Sequence, residues 1–450
     1  MQVEICDTTL IVPPNSPFSD DHIVLSLSHI DNDPNLRLTF RYLRAYVNST
    51  TTNHPSNPFH VISSALSSAL VPYYPLTGTL RSLPDRRLEL VCSKGQGVPF
   101  VRAKASCTLD SLGYLDNPDT HFVEQLVPTP GPDEALAHPC MLQITIFDCG
   151  GFTLGTALHH SLADGLGATQ FFNVMAKFAR GEGSSIMPVW NRESLLGPRN
   201  PPRVEAPIRE FLSLKSGFSA YEQSIGPVVR ECFDVKDECL DGFKSQLLKH
   251  SGLNFTTFEA LGAFIWRAKV KASKIPGDEI VKYAYSLNIR KIVMPPLPGD
   301  YWGNGCVPMY AKMRANDLVE KPIWETAEVI KMSKRNATEE YVRSFIDFQS
   351  LHYGEGITAG KEVSGFTDWR HLRHSNVDFG WGGPVTVLPL STHLLGGLEP
   401  CYFLPYSSAS VGNKDGFKVS VTLREFAMPA FKVQMDKFRS GDFALVINKD

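Results

Sequence analysis

Residues 181–207 form the longest run in this chain that is rich in Pro, Gly and Ser and lacks clear periodicity. It passes through Gly-Glu-Gly-Ser-Ser and Gly-Pro-Arg-Asn-Pro-Pro. Regular structure does not propagate through such a run, because proline lacks the backbone donor and glycine loses the most entropy on ordering. The run therefore divides the chain. We read 1–185 as a first domain, 186–210 as a crossover linker and 211–450 as a second domain, with the segment near 360–390 a candidate to pack back on the first. At about 100 to 200 residues per domain, each part is long enough to bury its own core.

Periodicity on either side of the run is mixed. In 59–70 the apolar residues Val61, Ile62, Ala65, Leu66, Ala69 and Leu70 recur at helical spacing, and Pro72 stops them. Residues 88–92, 142–147 and 152–158 read as strands, the middle one alternating Leu142, Ile144 and Ile146 against polar neighbours. Helix returns over 168–180. Past the linker, Thr256-Thr257-Phe258-Glu259 is a capping box opening a helix that carries Leu261, Phe264, Ile265 and Ala268. Residues 281–289, 385–388 and 417–423 follow as strands, and 430–438 closes as a helix. Both halves are therefore α/β, and no short repeat suggests a solenoid or propeller.

Charge narrows the partners. Lys plus Arg number 44 against 47 acidic residues, a net charge of −3, and no long run of one sign appears. We expect small-molecule substrates rather than nucleic acid or an anionic membrane. No stretch of 18 apolar residues occurs, Met1-Gln-Val-Glu-Ile-Cys-Asp is no leader pattern, and the closing Ile-Asn-Lys-Asp is no peroxisomal or retention tail. Sequons at Asn48, Asn254 and Asn336 matter only in a secreted protein, so the expected location is the cytoplasm. The nine cysteines are scattered, without C-x-x-C or a Cys/His pair at zinc spacing, and read as reduced core thiols with no metal.

Two motifs carry chemistry. Gly150-Gly-Phe-Thr-Leu-Gly-Thr-Ala-Leu-His159-His160-Ser-Leu-Ala-Asp164-Gly165 runs from a strand into two histidines, an acid and a glycine free to take a left-handed turn. A histidine held at such a junction can act as general base near neutral pH, since its ordinary pKa of about 6.5 lets it take and return a proton. Taken bare, the spacing equally fits two ordinary histidines at a strand end. A Ser161 nucleophile beside His160 fits poorly, because adjacent residues do not readily point at each other. No G-x-S-x-G, P-loop or H-E-x-x-H is present, and Gly95-Gln-Gly97-Val-Pro-Phe has Pro99 and Phe100 where a dinucleotide-binding helix would start. The second motif, Asp378-Phe-Gly380-Trp381-Gly382-Gly-Pro384, reads as a sharp bend around a buried aromatic anchor, with Asp378 satisfied by an arginine or by backbone donors.

As a pair, His160-Ser-Leu-Ala-Asp164-Gly165 and Asp378-Phe-Gly-Trp-Gly382 resemble the signatures of the plant BAHD acyltransferases. The resemblance spans the chain, through Tyr73-Tyr-Pro-Leu-Thr-Gly-Thr-Leu80, Phe258-Glu-Ala-Leu, Asn288-Ile-Arg290, Tyr301-Trp-Gly-Asn304 and Thr367-Asp-Trp369. It implies a two-domain chloramphenicol-acetyltransferase-like fold, with mixed sheets, flanking helices and a solvent channel between the domains. It also implies a monomer with no bound cofactor and acyl-CoA as cosubstrate. His160 is then the general base that deprotonates an acceptor attacking the thioester, with no covalent acyl-enzyme. Asp164 is turned from the histidine toward Arg290 as structure, Thr367 and Trp369 line the pocket near the oxyanion, and Asp378, Gly380, Trp381 and Gly382 are structural. For CoA the resemblance points to Thr256 and Thr257 at a helix start, with free N–H groups and the helix dipole, and loosely to 383–386 with Thr386. Lys269 or Lys271 would add charge.

The double histidine also resembles peptide-synthetase condensation domains, and a catalytically silent binding protein on the same fold is a third reading. For the acceptor, the closest resemblance is to the branch holding spermidine hydroxycinnamoyltransferases and enzymes that close a hydroxycinnamoyl-CoA on its own ortho-hydroxyl to a coumarin. A polyamine site needs acidic residues along its channel, whereas ring closure needs a snug aromatic slot. Ala163 stands where the polyamine enzymes carry Cys.

Overall fold

The computed structural model describes residues 2–15, 21–48, 57–215, 226–397, 399–409, 415–441 and 443. The expectations placed on Met1 and on the tail 447–450 lie outside them.

Two six-stranded mixed sheets organise the molecule. The first runs in the order Val3–Ile11, Val98–Ala105, Cys140–Phe147, Phe152–His159, Thr39–Tyr46 and Thr386–Pro389. The second runs Val228–Val235, Phe417–Arg424, Cys401–Leu404, Val363–Asp368, Ile280–Asn288 and Cys306–Arg314. Helices Pro58–Ala69 and Gly165–Ala179 pack on each other beside the first sheet, and Asp237–Ser251, Thr257–Ala272 and Ile323–Ser333 cluster against the second. Among the described residues no helix is long and apolar enough to cross a membrane.

The segment 360–390 is divided between the sheets. Val363–Asp368 lies parallel to Ile280–Asn288 in the second sheet, while Thr386–Pro389 crosses over and pairs antiparallel with Thr39–Tyr46 in the first. The crossover 186–210 is not a bare linker. It contains a helical turn, Arg192–Leu195, and bridges to Tyr301 through Val189. Arg192 is buried beside Asp31 at 3.3 Å, and Trp190 packs edge-on to Trp302 at 5.0 Å.

Some sequence expectations shift. The Cys140–Phe147 strand does not present a polar face to water, because it is covered on both sides. Its Gln143 amide is satisfied internally by the Gln125 carbonyl at 2.7 Å and the Thr145 hydroxyl at 3.1 Å. The cysteines are all free, but Cys6 and Cys149 are exposed, and only Cys92, Cys140 and Cys401 are core thiols. Gly165 takes no left-handed turn. It is the first residue of the Gly165–Ala179 helix, whose N-cap is Asp164.

Candidate active site

Strand Phe152–His159 is buried along its whole length, and alternation at its end sends its two histidines different ways. His159 turns into the core, where burial first, then the nearby charges of His160 and Arg37, push its pKa down to about 3, so it stays neutral. His160 lines a cavity of about 530 Å³ whose walls come from both halves of the chain. Its ring meets Phe40 edge-on at 5.9 Å. Burial lowers the pKa of His160 below the ordinary imidazole value, against the opposing pull of its own main-chain carbonyl, Asp164, Asn304 and Asp31. The His160 Nδ1 is buried and meets no hydrogen-bond partner from another residue. At neutral pH this is an unprotonated base presented to an enclosed space.

Asp164 is committed elsewhere. Its two oxygens accept from Arg290 at 2.8 and 3.0 Å, from the backbone of Gly167 and Gly305 at 2.8 and 3.0 Å, and from Cys306 Sγ at 3.3 Å. Burial alone would raise its pKa, but the Arg290 charge and these donors outweigh it and hold the carboxyl below its ordinary range. One side chain thus caps a helix, anchors an arginine of the second half and closes the floor under the cavity. Ser161 is fully buried and absent from the cavity wall, so the geometry offers no serine nucleophile there.

Sequence reasoning assigns no role to Asn304, yet the structure places it against the histidine. Its amide donates to the His160 carbonyl at 2.8 Å and to Asp31 Oδ1 at 2.9 Å. Asp31, fully buried, also accepts from the Asn304 backbone at 3.0 Å and from the Ser28 hydroxyl at 2.7 Å. The signal available in the sequence was only the Tyr301-Trp-Gly-Asn304 segment.

Thr367 and Trp369 both line the cavity, at the end of a strand that pairs with Cys401–Leu404. The indole packs on Phe40 at 5.7 Å and on His374 at 5.0 Å, which builds an aromatic wall next to His160. The Asp378–Gly382 bend stands apart from that wall. Asp378 Oδ1 accepts from the N–H groups of Gly380 and Gly382 at 2.7 and 2.9 Å, and Trp381 packs edge-on against Phe152 at 5.4 Å. Gly380 and Gly382 have φ of 107° and 84°, which glycine adopts without strain.

The expected CoA contacts are less open than the sequence suggests. The Thr256 hydroxyl accepts from Glu259 N at 3.3 Å, and the Glu259 carboxylate accepts from Thr256 N at 2.8 Å, so the Thr257–Ala272 helix start already carries an anion. Thr257 follows within the same capped turn. Thr386 is buried in the first sheet and donates to the Tyr114 carbonyl at 2.6 Å, off the cavity wall. Lys269 is buried beside Glu399 and offers no surface charge, whereas Lys271 is exposed. Phe258 and Lys334 do line the cavity beside that helix start, and the Lys334 ammonium pairs with Glu259 at 2.6 Å.

A cavity closed between two mixed-sheet domains, with a neutral histidine in its wall, defines the class of two-domain acyltransferases of the chloramphenicol-acetyltransferase-like fold. Comparison with known proteins narrows this. Residues 1–438 match the model of the Transferase family. The chain is 34% identical over 427 residues to the spermidine coumaroyl-CoA acyltransferase of Arabidopsis thaliana, covering 91% of both chains. It is 31% identical over 425 residues to the spermidine sinapoyl-CoA acyltransferase of the same plant, covering 92% of both. Its fold superposes on vinorine synthase with a TM-score of 0.74 at 22% identity, covering 97% of this chain and 98% of that one. The chain belongs to this family, the BAHD acyltransferases, and is an acyl-CoA-dependent acyltransferase with acyl-CoA as cosubstrate.

Proposed function

We propose that this enzyme moves a hydroxycinnamoyl-type acyl group from its CoA thioester to an amine acceptor of the polyamine class, with His160 as general base. The observation that carries the chemistry is the neutral His160 imidazole facing the cavity shared by both halves. In the reaction, Nε2 takes the proton from the acceptor nitrogen as that nitrogen bonds to the thioester carbon. The resulting oxyanion collapses, the C–S bond breaks, and the imidazolium returns the proton to the departing sulfur. Thr367 and the Trp369 indole N–H are the donors in this wall for the oxyanion. Asp164 and Arg290 hold the scaffold rather than the proton. CoA enters at the Phe258 and Lys334 end of the cavity.

The hydroxycinnamoyl donor is supported by the aromatic wall of Phe40, Tyr42 and Trp369, and the polyamine acceptor by the names of the two Arabidopsis relatives. That same wall favours a second reading, ring closure of an ortho-hydroxylated cinnamoyl-CoA on itself, for which proximity is built into the donor. Ala163, which lines the cavity where the polyamine enzymes carry Cys, weighs toward this second reading without deciding it. The deciding experiment is a matrix of acyl-CoAs against spermidine, a hydroxycinnamyl alcohol and no acceptor, read by mass spectrometry. Acylated spermidine is the expected product. Turnover that proceeds only without an added acceptor would replace the first reading by the second.

A further inference from the structure

Three carboxylates line the cavity, and two are neutralised. Asp164 is paired with Arg290 at 2.8 Å and Asp368 with Arg370 at 2.6 Å. The lysine in the wall, Lys334, is itself paired with Glu259. Asp33 is different. It is buried, it lines the cavity, and among the described residues no cation pairs with it. Its Oδ1 accepts from the backbone and side-chain nitrogens of Asn35, at 2.9 and 3.0 Å. The nearby Arg37 guanidinium is engaged by the Tyr353 hydroxyl at 2.6 Å instead. Beside Asp33, fully buried and outside the cavity wall, stands Gln349, whose amide favours the ionised carboxyl.

A purely structural reading of Asp33 is a cap for the short helix Pro34–Leu36. Asparagine caps as well as aspartate and carries no charge, so capping does not account for a buried carboxylate. Burial pushes the Asp33 carboxyl up to about 6, against the lowering effect of Asn35 and of the Gln349 amide. The charge is thus held at a cost near neutral pH, with no cation to offset it among the described residues. A protonated amine supplies what the carboxylate lacks, a positive charge carried on N–H donors.

Position supports the same ligand. Lys334 precedes the Glu339–His352 helix, and Gln349 lies ten residues into it. At about 1.5 Å per residue, this sets the Asp33 end roughly 15 Å from the start of that helix, which adjoins the Lys334 end. His160 donates its backbone N–H to the carbonyl of Leu38, five residues from Asp33. We propose that Asp33 is the group that takes the ammonium of the acceptor, holding a polyamine at its charged end while an uncharged nitrogen reaches His160. The assignment rests on the reading of the acceptor as an amine.

The test uses spermidine as probe on the full-length enzyme and on Asp33→Asn. Asparagine keeps the cap, so the variant should melt no lower than the parent. The ratio of kcat/KM for spermidine to kcat/KM for a neutral hydroxycinnamyl alcohol should fall about 10- to 100-fold in Asp33→Asn, the range for loss of a charge-assisted hydrogen bond. Spermidine binding, measured by calorimetry in the presence of CoA, should weaken in Asp33→Asn. Asp33-dependent binding without acylation would leave the subsite standing and reject the amine-acceptor function. Acylation of spermidine with the same KM and the same ratio in Asp33→Asn would reject the subsite and leave the function standing. Absence of both binding and turnover in the parent would reject both.

Discussion

At the scale of single residues, the site is a set of charges and dipoles whose states follow from what surrounds them. His160→Ala should lower kcat by ~10² to 10⁴ while the protein still melts cooperatively, the range for loss of a general base. Near-parental turnover in a folded variant would end the assignment. Because burial lowers the pKa of His160, the basic form persists below pH 6.5, so the acid limb of the kcat profile should fall below that value rather than at it. Asn304→Ala frees the His160 carbonyl and leaves buried Asp31 without its amide donor. We expect kcat to drop by up to about 10²-fold with a smaller change in KM, since the loss is of ring orientation and not of contact with substrate. For Asp33 the sign works against stability. Its folded pKa of about 6 exceeds the unfolded value, so the native state binds the proton more tightly and loses stability as pH rises from about 4 to 6. Asp33→Asn should therefore be more stable than the parent at pH 7.5, by on the order of 3 kcal/mol, with the difference gone below about pH 4. Denaturant melts at the two pH values measure it.

Elements meet here through their ends. The strand Phe152–His159 delivers His160, and five residues later the helix Gly165–Ala179 begins on Asp164, whose carboxylate is both helix cap and partner of Arg290 from the second half. Asp164→Asn and Arg290→Met should each destabilise by about 3 kcal/mol, because either leaves a largely buried charge unpaired. Their double variant should cost much less than the sum. Additivity within about 0.5 kcal/mol would show that the two do not act as a pair. The Asp378–Gly382 bend fastens an element of another kind, with Trp381 against Phe152 and Phe379 against Tyr46. Trp381→Ala should lose ~3 to 5 kcal/mol by denaturant melting, with kcat of the remaining folded protein changed far less. Much of this scale was legible in advance. Helices starting at Thr257 and ending near Phe438, and strands at 142–147, 152–158 and 417–423, stand where their periodicity put them. Strands such as Val3–Ile11, Val98–Ala105 and Cys306–Arg314 were not read. Val3–Ile11 is an edge strand with six exposed residues, so no apolar alternation marks it, and Val98–Ala105 opens on a run covered on both faces.

For the molecule as a whole, the two halves are not independent bodies joined by a tether. Thr386–Pro389, from the second half, is the outer strand of the first sheet, and Arg192 of the crossover lies buried beside Asp31. Residues 1–185 expressed alone would leave the Thr39–Tyr46 strand as a bare edge and Arg192's partner without its cation. We expect that fragment to aggregate, while the full chain unfolds in one transition; a soluble, cooperatively melting fragment would contradict this. The sequence by itself determined the α/β class and the two motifs that carry the chemistry, because these depend on local periodicity and on residues contiguous in the chain. It also pointed to the family, through two short motifs about 215 residues apart. Only the tertiary structure decided that the helix start at Thr256 already holds a carboxylate, that Lys269 is buried, and that Thr386 serves a sheet. The same holds for Asp31 and Asp33, which meet Asn304 and Gln349 from far along the chain. What each does depends on which groups fold against it, and a counter-ion present or absent across the cavity leaves no mark on the sequence around an aspartate.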